Sequence, residues 1–137
     1  MSNKVMLITG ASRGIGAATA RLAARNGYDV AVNYAGRKDA AEAVAADVRK
    51  AGCKAAVIQA DVGKPEDVAR LFKTVDQEFG RLDAFFNNAG ILSVAARFVD
   101  ITPDRLERIL AVNTVGAFVA AQEAVRRMST RLGGKGG

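Results

Sequence analysis

The chain alternates short apolar runs of strand length with longer segments of helical period. That alternation confines it to a layered α/β fold built on a parallel sheet. Val5-Met6-Leu7-Ile8 reads as the first strand, closed by Thr9-Gly10. A helix follows from about Gly14 to Asn26, with Ile15, Ala18 and Leu22 on one side and Gly27 as its stop. Val30-Ala31-Val32 forms the second strand, and an alanine-rich helix from about Asp39 to Ala51 carries Val44 and Val48 one turn apart. Ala55-Ala56-Val57-Ile58 is the third strand. The next helix opens on Pro65, with Glu66 and Asp67 at its positive end, repeats Val68, Leu71, Phe72, Val75 and Phe79, and stops at Gly80. Leu82 to Phe86 is the fourth strand, and a last helix runs from Pro103, behind Thr102 as N-cap, to about Met128. Right-handed crossovers in a doubly wound sheet predict the strand order 3-2-1-4. The switch point then lies between strands one and four, and the loops after Ile8 and Phe86 should face each other there.

Composition removes several chemistries. The 137 residues include no histidine, which excludes a Ser-His-Asp hydrolase and any His-ligated metal site; no metal is expected. A single cysteine, Cys53, forms no intrachain disulfide and suits a small apolar place near a strand start. No run approaches the roughly 20 apolar residues of a membrane span, and the start lacks a signal-peptide pattern, so the expected address is cytoplasmic, with no membrane partner. The net charge of +6 is uneven: four of the twenty bases, Arg126, Arg127, Arg131 and Lys135, lie beyond Glu123 with no acid among them. A basic tail on a near-neutral body, without interleaved aromatics, is no nucleic-acid stripe. The sequence therefore divides into a folded unit, residues 1–130, and a flexible Gly-rich basic tail, residues 131–137.

The loop after the first strand reads Thr9-Gly10-Ala11-Ser12-Arg13-Gly14-Ile15-Gly16, with glycines spaced G-x-x-x-G-x-G. Such a turn leads a strand into a helix whose free N–H groups can meet a pyrophosphate. Asp61-Val62 follows strand three, Asn87-Asn88-Ala89-Gly90 follows strand four, and Asn113 interrupts the apolar face of the last helix. Each has a plain alternative: Asp61 as a turn cap, Asn87 and Asn88 as turn formers, Asn113 as a polar residue satisfied by backbone near a helix bend.

In this order and at these elements, the four features resemble the short-chain dehydrogenase/reductase family over essentially the whole chain. The resemblance implies a Rossmann-type α/β fold and an oxidoreductase moving hydride between a nicotinamide and a ketone or secondary alcohol. It also implies roles. Gly10, Gly14 and Gly16 would form the cofactor turn, lined by Ser12, Arg13 and Ile15. Asp61 would accept from the adenine amino group beside the Val62 backbone. Asn88, Ala89 and Gly90 would pack near the adenosine, and Asn113 would match the family's catalytic asparagine.

Cofactor choice rests on the second strand. An NAD enzyme places a carboxylate at its end, about 20 residues past the glycines. Here stand Asn33-Tyr34, then Ala35-Gly36-Arg37-Lys38, while Asp29 lies at the opposite end. Cations without a carboxylate suit a 2′-phosphate, so Asn33, Arg37 and Arg13 favour NADP over NAD; the alternative is that Arg37 and Lys38 are solvated residues ahead of a helix.

The family's catalytic serine and Tyr-x-x-x-Lys are absent, so the unit reads as truncated before its fifth strand and inactive alone. Tyr34 and Lys38 have the spacing, but Gly36 between them breaks the helix such a pair needs, and they lie on the adenosine side. A non-catalytic nucleotide-binding or dimerising fragment is the rival reading. A methyltransferase is disfavoured because strand one carries no acid. In the last helix, Leu106, Ile109, Leu110, Ala117 and Ala121 can face the sheet, while Val115, Phe118, Val119 and Val125 form a second apolar flank. The family resemblance implies a homo-oligomer through the 103–128 helix; the alternative is that a further part of the same protein covers that flank.

Overall fold

A computed structural model describes residues 2–137. Four strands, β1 (Lys4–Ile8), β2 (Tyr28–Tyr34), β3 (Ala55–Gln59) and β4 (Ala84–Phe86), form one parallel sheet in the order β3-β2-β1-β4. This is the order expected of the doubly wound topology. Three helices cross between them: α1 (Gly14–Arg25), α2 (Lys38–Lys50) and α3 (Pro65–Phe79).

Because side chains alternate across a strand, Leu7 and Ile8 belong to opposite layers. Ile8, Val30 and Val32 pack with Val44 and Val48 of α2 and the alanines of α1. Leu7, Ala31 and Ile58 pack with Val68, Leu71, Phe72 and Val75 of α3. Burial on both faces is why these strands read as continuous apolar runs. The α3 signals are met: Pro65 in the first turn, Glu66 and Asp67 beside it, and Gly80 in the left-handed conformation at φ 72°. Cys53 is buried, as its apolar reading anticipates, and burial pushes its thiol pKa up.

Two faces differ from expectation. On α1, Ile15 and Leu22 are 72% and 58% exposed, and the sheet side is Gly16, Ala17, Ala20, Ala23 and Ala24. Small residues let the helix sit close to the sheet: a Cβ on Gly16 would lie 2.6 Å from Nδ2 of Asn88. The last helix differs likewise. It is continuous from 103 to 128 but changes winding, as α4 (Pro103–Leu110), a π-helical segment (Ala111–Gly116) and α5 (Ala117–Met128). Val112, Gly116, Ala120 and Ala124 are its buried positions, while Leu106 and Leu110 stay about half exposed. Gly116 is required at the crossing, since a Cβ there would overlap the Val62 carbonyl. Thr102 holds the N-cap position, but its side chain makes no capping bond.

Strand β4 is shorter than the apolar run suggests. Its pairing with β1 starts at Met6 and Ala84; ahead of it, Asp83 turns its carboxylate to accept the Val5 N–H at 2.8 Å. Beyond α5 the chain turns back, with the Gly136 N–H on the Met128 carbonyl at 2.9 Å. Among the described residues no helix is long and apolar enough to cross a membrane.

Candidate functional site: the crevice at the carboxyl ends of the strands

The loops after β1 and β4 meet at the switch point, as the topology requires. Gly10 and Gly14, at φ 61° and 58°, turn the chain out of β1 into α1. Arg13 occupies the helix N-cap position without a side-chain cap, and the first turn carries no acid. An uncapped helix start with an arginine beside it and no competing carboxylate is receptive to an anion.

The facing loop is locked to this turn. Asn88 Nδ2 donates to the carbonyls of Thr9 and Gly10, both at 3.0 Å, and the buried Thr9 hydroxyl accepts the N–H groups of Asn88 and Ala89. From β2, the buried Asn33 accepts the Gly10 N–H at 3.1 Å and donates to the carbonyls of Ile58 and Ala60. Its side chain therefore ties the ends of three adjacent strands together.

These loops enclose a cavity of about 480 Å³. The sequence-predicted residues Gly10, Ser12, Arg13, Gly14, Asn33 and Arg37 line one part of it, and Asp61, Val62, Asn88, Ala89 and Gly90 the other. Three predicted residues lie off its wall: Gly16 packs beneath the turn, Ile15 points to solvent, and Asn113 stands on the last helix. Asn113, in the π-helical segment, is exposed. It exchanges two hydrogen bonds with Ile91, Oδ1 accepting that residue's N–H and Nδ2 donating to its carbonyl, each at 2.8 Å.

The charges in the crevice are arranged unevenly. Arg37 pairs with Asp39 at 3.2 Å, both well exposed, and that hydrogen bond holds the Asp39 carboxyl below the usual range. Neither acid near β2 lines the cavity. Asp29, at the far end of the strand, instead accepts the Lys54 N–H and an Asn3 amide. Asp61 accepts the Gly63 N–H at 2.9 Å and forms an ion pair with Arg108 at 3.0 Å. Arg108 and Val112, one helical turn apart, complete the wall and were not singled out in the sequence. Their signal there was only i,i+4 spacing ahead of Asn113. Tyr34, of the apparent Tyr-x-x-x-Lys, is packed in the α1–α2 core.

A Rossmann-type parallel sheet whose switch point holds a glycine turn, an uncapped helix start and a facing Asn-Asn-Ala-Gly loop defines a dinucleotide-binding class of protein. Residues 4–136 match the family model described as short chain dehydrogenase. The chain belongs to this family of oxidoreductases. It is 45% identical over 135 residues to versicolorin reductase 1 of Aspergillus parasiticus, covering 98% of this chain and 50% of that protein. Among solved structures it resembles a short chain dehydrogenase from Burkholderia cenocepacia J2315 in complex with NADP, at TM-score 0.87 and 42% identity, over 90% of this chain and 50% of that one. It also resembles an NAD+-bound xylitol dehydrogenase, at TM-score 0.86 and 37% identity, over 93% and 49% of the two chains. The chain spans about half the length of the curated relatives it matches.

Proposed function

We propose that residues 1–130 form the NADP(H)-binding unit of an oxidoreductase that, as a whole protein, interconverts a ketone and a secondary alcohol. The observation carrying the cofactor choice is the end of β2. Asn33 and Tyr34 are buried there, and the cavity wall continues through Ala35, Gly36 and Arg37 with no carboxylate to meet a ribose 2′-hydroxyl. Arg13 and Arg37 supply cations for a 2′-phosphate instead. The NADP bound to the Burkholderia cenocepacia relative supports this reading, and the NAD+ of the xylitol dehydrogenase marks the alternative it must beat.

The glycine turn of Gly10, Gly14 and Gly16, with Ser12 and Ile15, would hold the pyrophosphate at the start of α1. Asp61 and Val62 would receive the adenine, with Asn88, Ala89 and Gly90 beneath the adenosine. Bound there, the nicotinamide would supply or accept the hydride. Asn113 would hold the Gly90–Ile91 backbone in place at the catalytic end. The reductase named among the relatives favours a small-molecule carbonyl as substrate.

The chain alone would bind cofactor without turnover, because neither of its tyrosines, Tyr28 or Tyr34, lines the crevice to donate a proton. This keeps the non-catalytic nucleotide-binding fragment as the second reading, compatible with the first. The exposed Val115, Phe118 and Val125 would serve a homo-oligomer, and the working location would be the cytoplasm. The deciding experiment titrates residues 1–137 with NADPH and NADH by cofactor fluorescence, then assays both with a panel of ketones. Tighter NADPH binding without turnover is expected. Equal or tighter NADH binding overturns the cofactor assignment, and turnover overturns the inactivity.

A further inference from the structure

Arg108 reaches the crevice from an element that the glycine turn and the strand-end loops do not include. It lies on α4, one turn before Val112, and its Nη2 stands 3.0 Å from Oδ2 of Asp61. The other carboxylate oxygen, Oδ1, accepts the Gly63 N–H at 2.9 Å, and the Asp61 N–H is itself held by Asp67 at 2.8 Å. The Asp61 side chain is thus gripped at both oxygens and at its backbone, and it is largely covered, at 19% exposure. Space for the guanidinium exists because residue 63 has no side chain: a Cβ there would lie 2.7 Å from Nη1 of Arg108 and 2.9 Å from a methyl of Val112.

We propose that Arg108 is the positioning residue that fixes Asp61 as the crevice's reader of an amino group, so that it selects adenine over its 6-oxo counterpart. The proposal rests on the reading of the crevice as a nicotinamide dinucleotide site. A carboxylate gripped in this way keeps its remaining lone pairs aimed at one place, where a donor gains from the preorganisation and a carbonyl is repelled. Without Arg108, Oδ2 loses its charged partner and the carboxylate swings about the Gly63 bond. Arg108 is half exposed, and a pair of that kind contributes little to folding, so its removal is felt in recognition.

The test compares Arg108→Ala, Arg108→Lys and Asp61→Asn in the 137-residue chain. The probes are NADPH and its reduced hypoxanthine analogue, titrated separately. The unaltered chain should prefer NADPH by about tenfold or more, the scale of one hydrogen bond to a charged group. Arg108→Ala should bring that preference below about threefold, as Asp61→Asn does, and Arg108→Lys should restore part of it. The double variant should discriminate no worse than Asp61→Asn alone. Circular dichroism confirms that each variant is folded, and if the alanine variant is not, Arg108→Gln takes its place. A preference retained in Arg108→Ala but lost in Asp61→Asn overturns this role and leaves the dinucleotide site standing. Equal weakening toward both probes makes Arg108 a general contact and also overturns it. No binding of NADPH by the unaltered chain overturns the site reading, and this role with it.

Discussion

Asn88 donates twice to Thr9, once from its backbone and once from its side chain. The Thr9 hydroxyl accepts the Asn88 N–H at 3.0 Å, and the Asn88 amide donates to the Thr9 carbonyl at the same distance. The hydroxyl also accepts the Ala89 N–H at 3.1 Å, so one buried oxygen anchors the start of the loop after β4. Thr9→Val keeps the shape and removes the acceptor, leaving two backbone N–H groups unpaired. We expect a loss of roughly 2–4 kcal/mol in urea unfolding, with little change in secondary structure at low denaturant. A loss under about 0.5 kcal/mol would mean that water replaces the hydroxyl without cost.

Asn33 offers a sharper test of the same region. Its Nδ2 faces the carbonyl oxygens of Ile58 and Ala60 at 3.2 and 3.3 Å, and the residue is 1% exposed. Asn33→Asp sets a carboxylate oxygen against those carbonyls with no cation at hand. The expected cost is about 3–5 kcal/mol near neutral pH, read by chemical denaturation and partly recovered in acid as the new carboxyl takes up a proton. An unchanged midpoint would show that the amide does not tie the strands.

Cofactor preference should follow the cations rather than the strand-end asparagine. Arg13→Ala and Arg37→Ala should each weaken NADPH binding on the order of tenfold and leave NADH nearly unaffected. Asp39→Asn removes the partner that holds Arg37, and should strengthen NADPH binding by about two- to threefold. Equal losses for both cofactors in the arginine variants would assign these side chains to the pyrophosphate instead.

Between about pH 3 and 8, stability should be lost on the acid side only. Burial alone would raise the Asp83 pKa, but the paired hydrogen bonds of Arg81 and the Val5 N–H outweigh it and hold the carboxyl below its ordinary value. The Asp61 N–H likewise holds Asp67 low. A carboxylate whose pKa is lower folded than unfolded stabilises fully above the unfolded value, about 3.9, and stops doing so as pH falls through the folded one. With no histidine, no side chain has its ordinary pKa between about 5 and 8. Melting temperature should therefore stay flat from about pH 5.5 to 7.5 and drop below about pH 4. Asp83→Asn should lower the plateau and flatten the acid limb. A melting temperature that rises on acidification would contradict this assignment.

The strand order and most of the crevice were legible because the signals are local. Apolar runs, helix stops and the glycine turn each act within a few residues, and the topology rules then bring Gly10, Asp61 and Asn88 to one end of the sheet. The helix faces were less legible because hydrophobicity and burial part company where helices pack closely. On α1 the large residues Ile15 and Leu22 stay outside while alanines meet the sheet, so size was a poor guide. Arg108 was hidden for another reason. In sequence it is one more arginine on a charged helix, and its role depends on Asp61 from a separate loop and on the missing side chain of Gly63. Asn33 stood at the right place, but its side chain turns inward to the neighbouring strands, which a strand-end position alone does not reveal.

The π-helical segment at Ala111–Gly116 makes the last helix unevenly sensitive to length, in a way that its composition hides. Each residue advances an α-helix by about 100°, so removing one residue from regular winding re-aims everything downstream. The widened turn already carries an extra residue and can give it up with the downstream faces kept. A deletion in α5 ahead of Ala120 would rotate Ala120 and Ala124 out of their packing and drive a bulkier neighbour into their place. The segment thus works as a phase adjuster between Asn113 on the crevice side and the packing stripe of α5. A one-residue deletion at the exposed Thr114 or Val115 should therefore be tolerated far better than one in α5 ahead of Ala120.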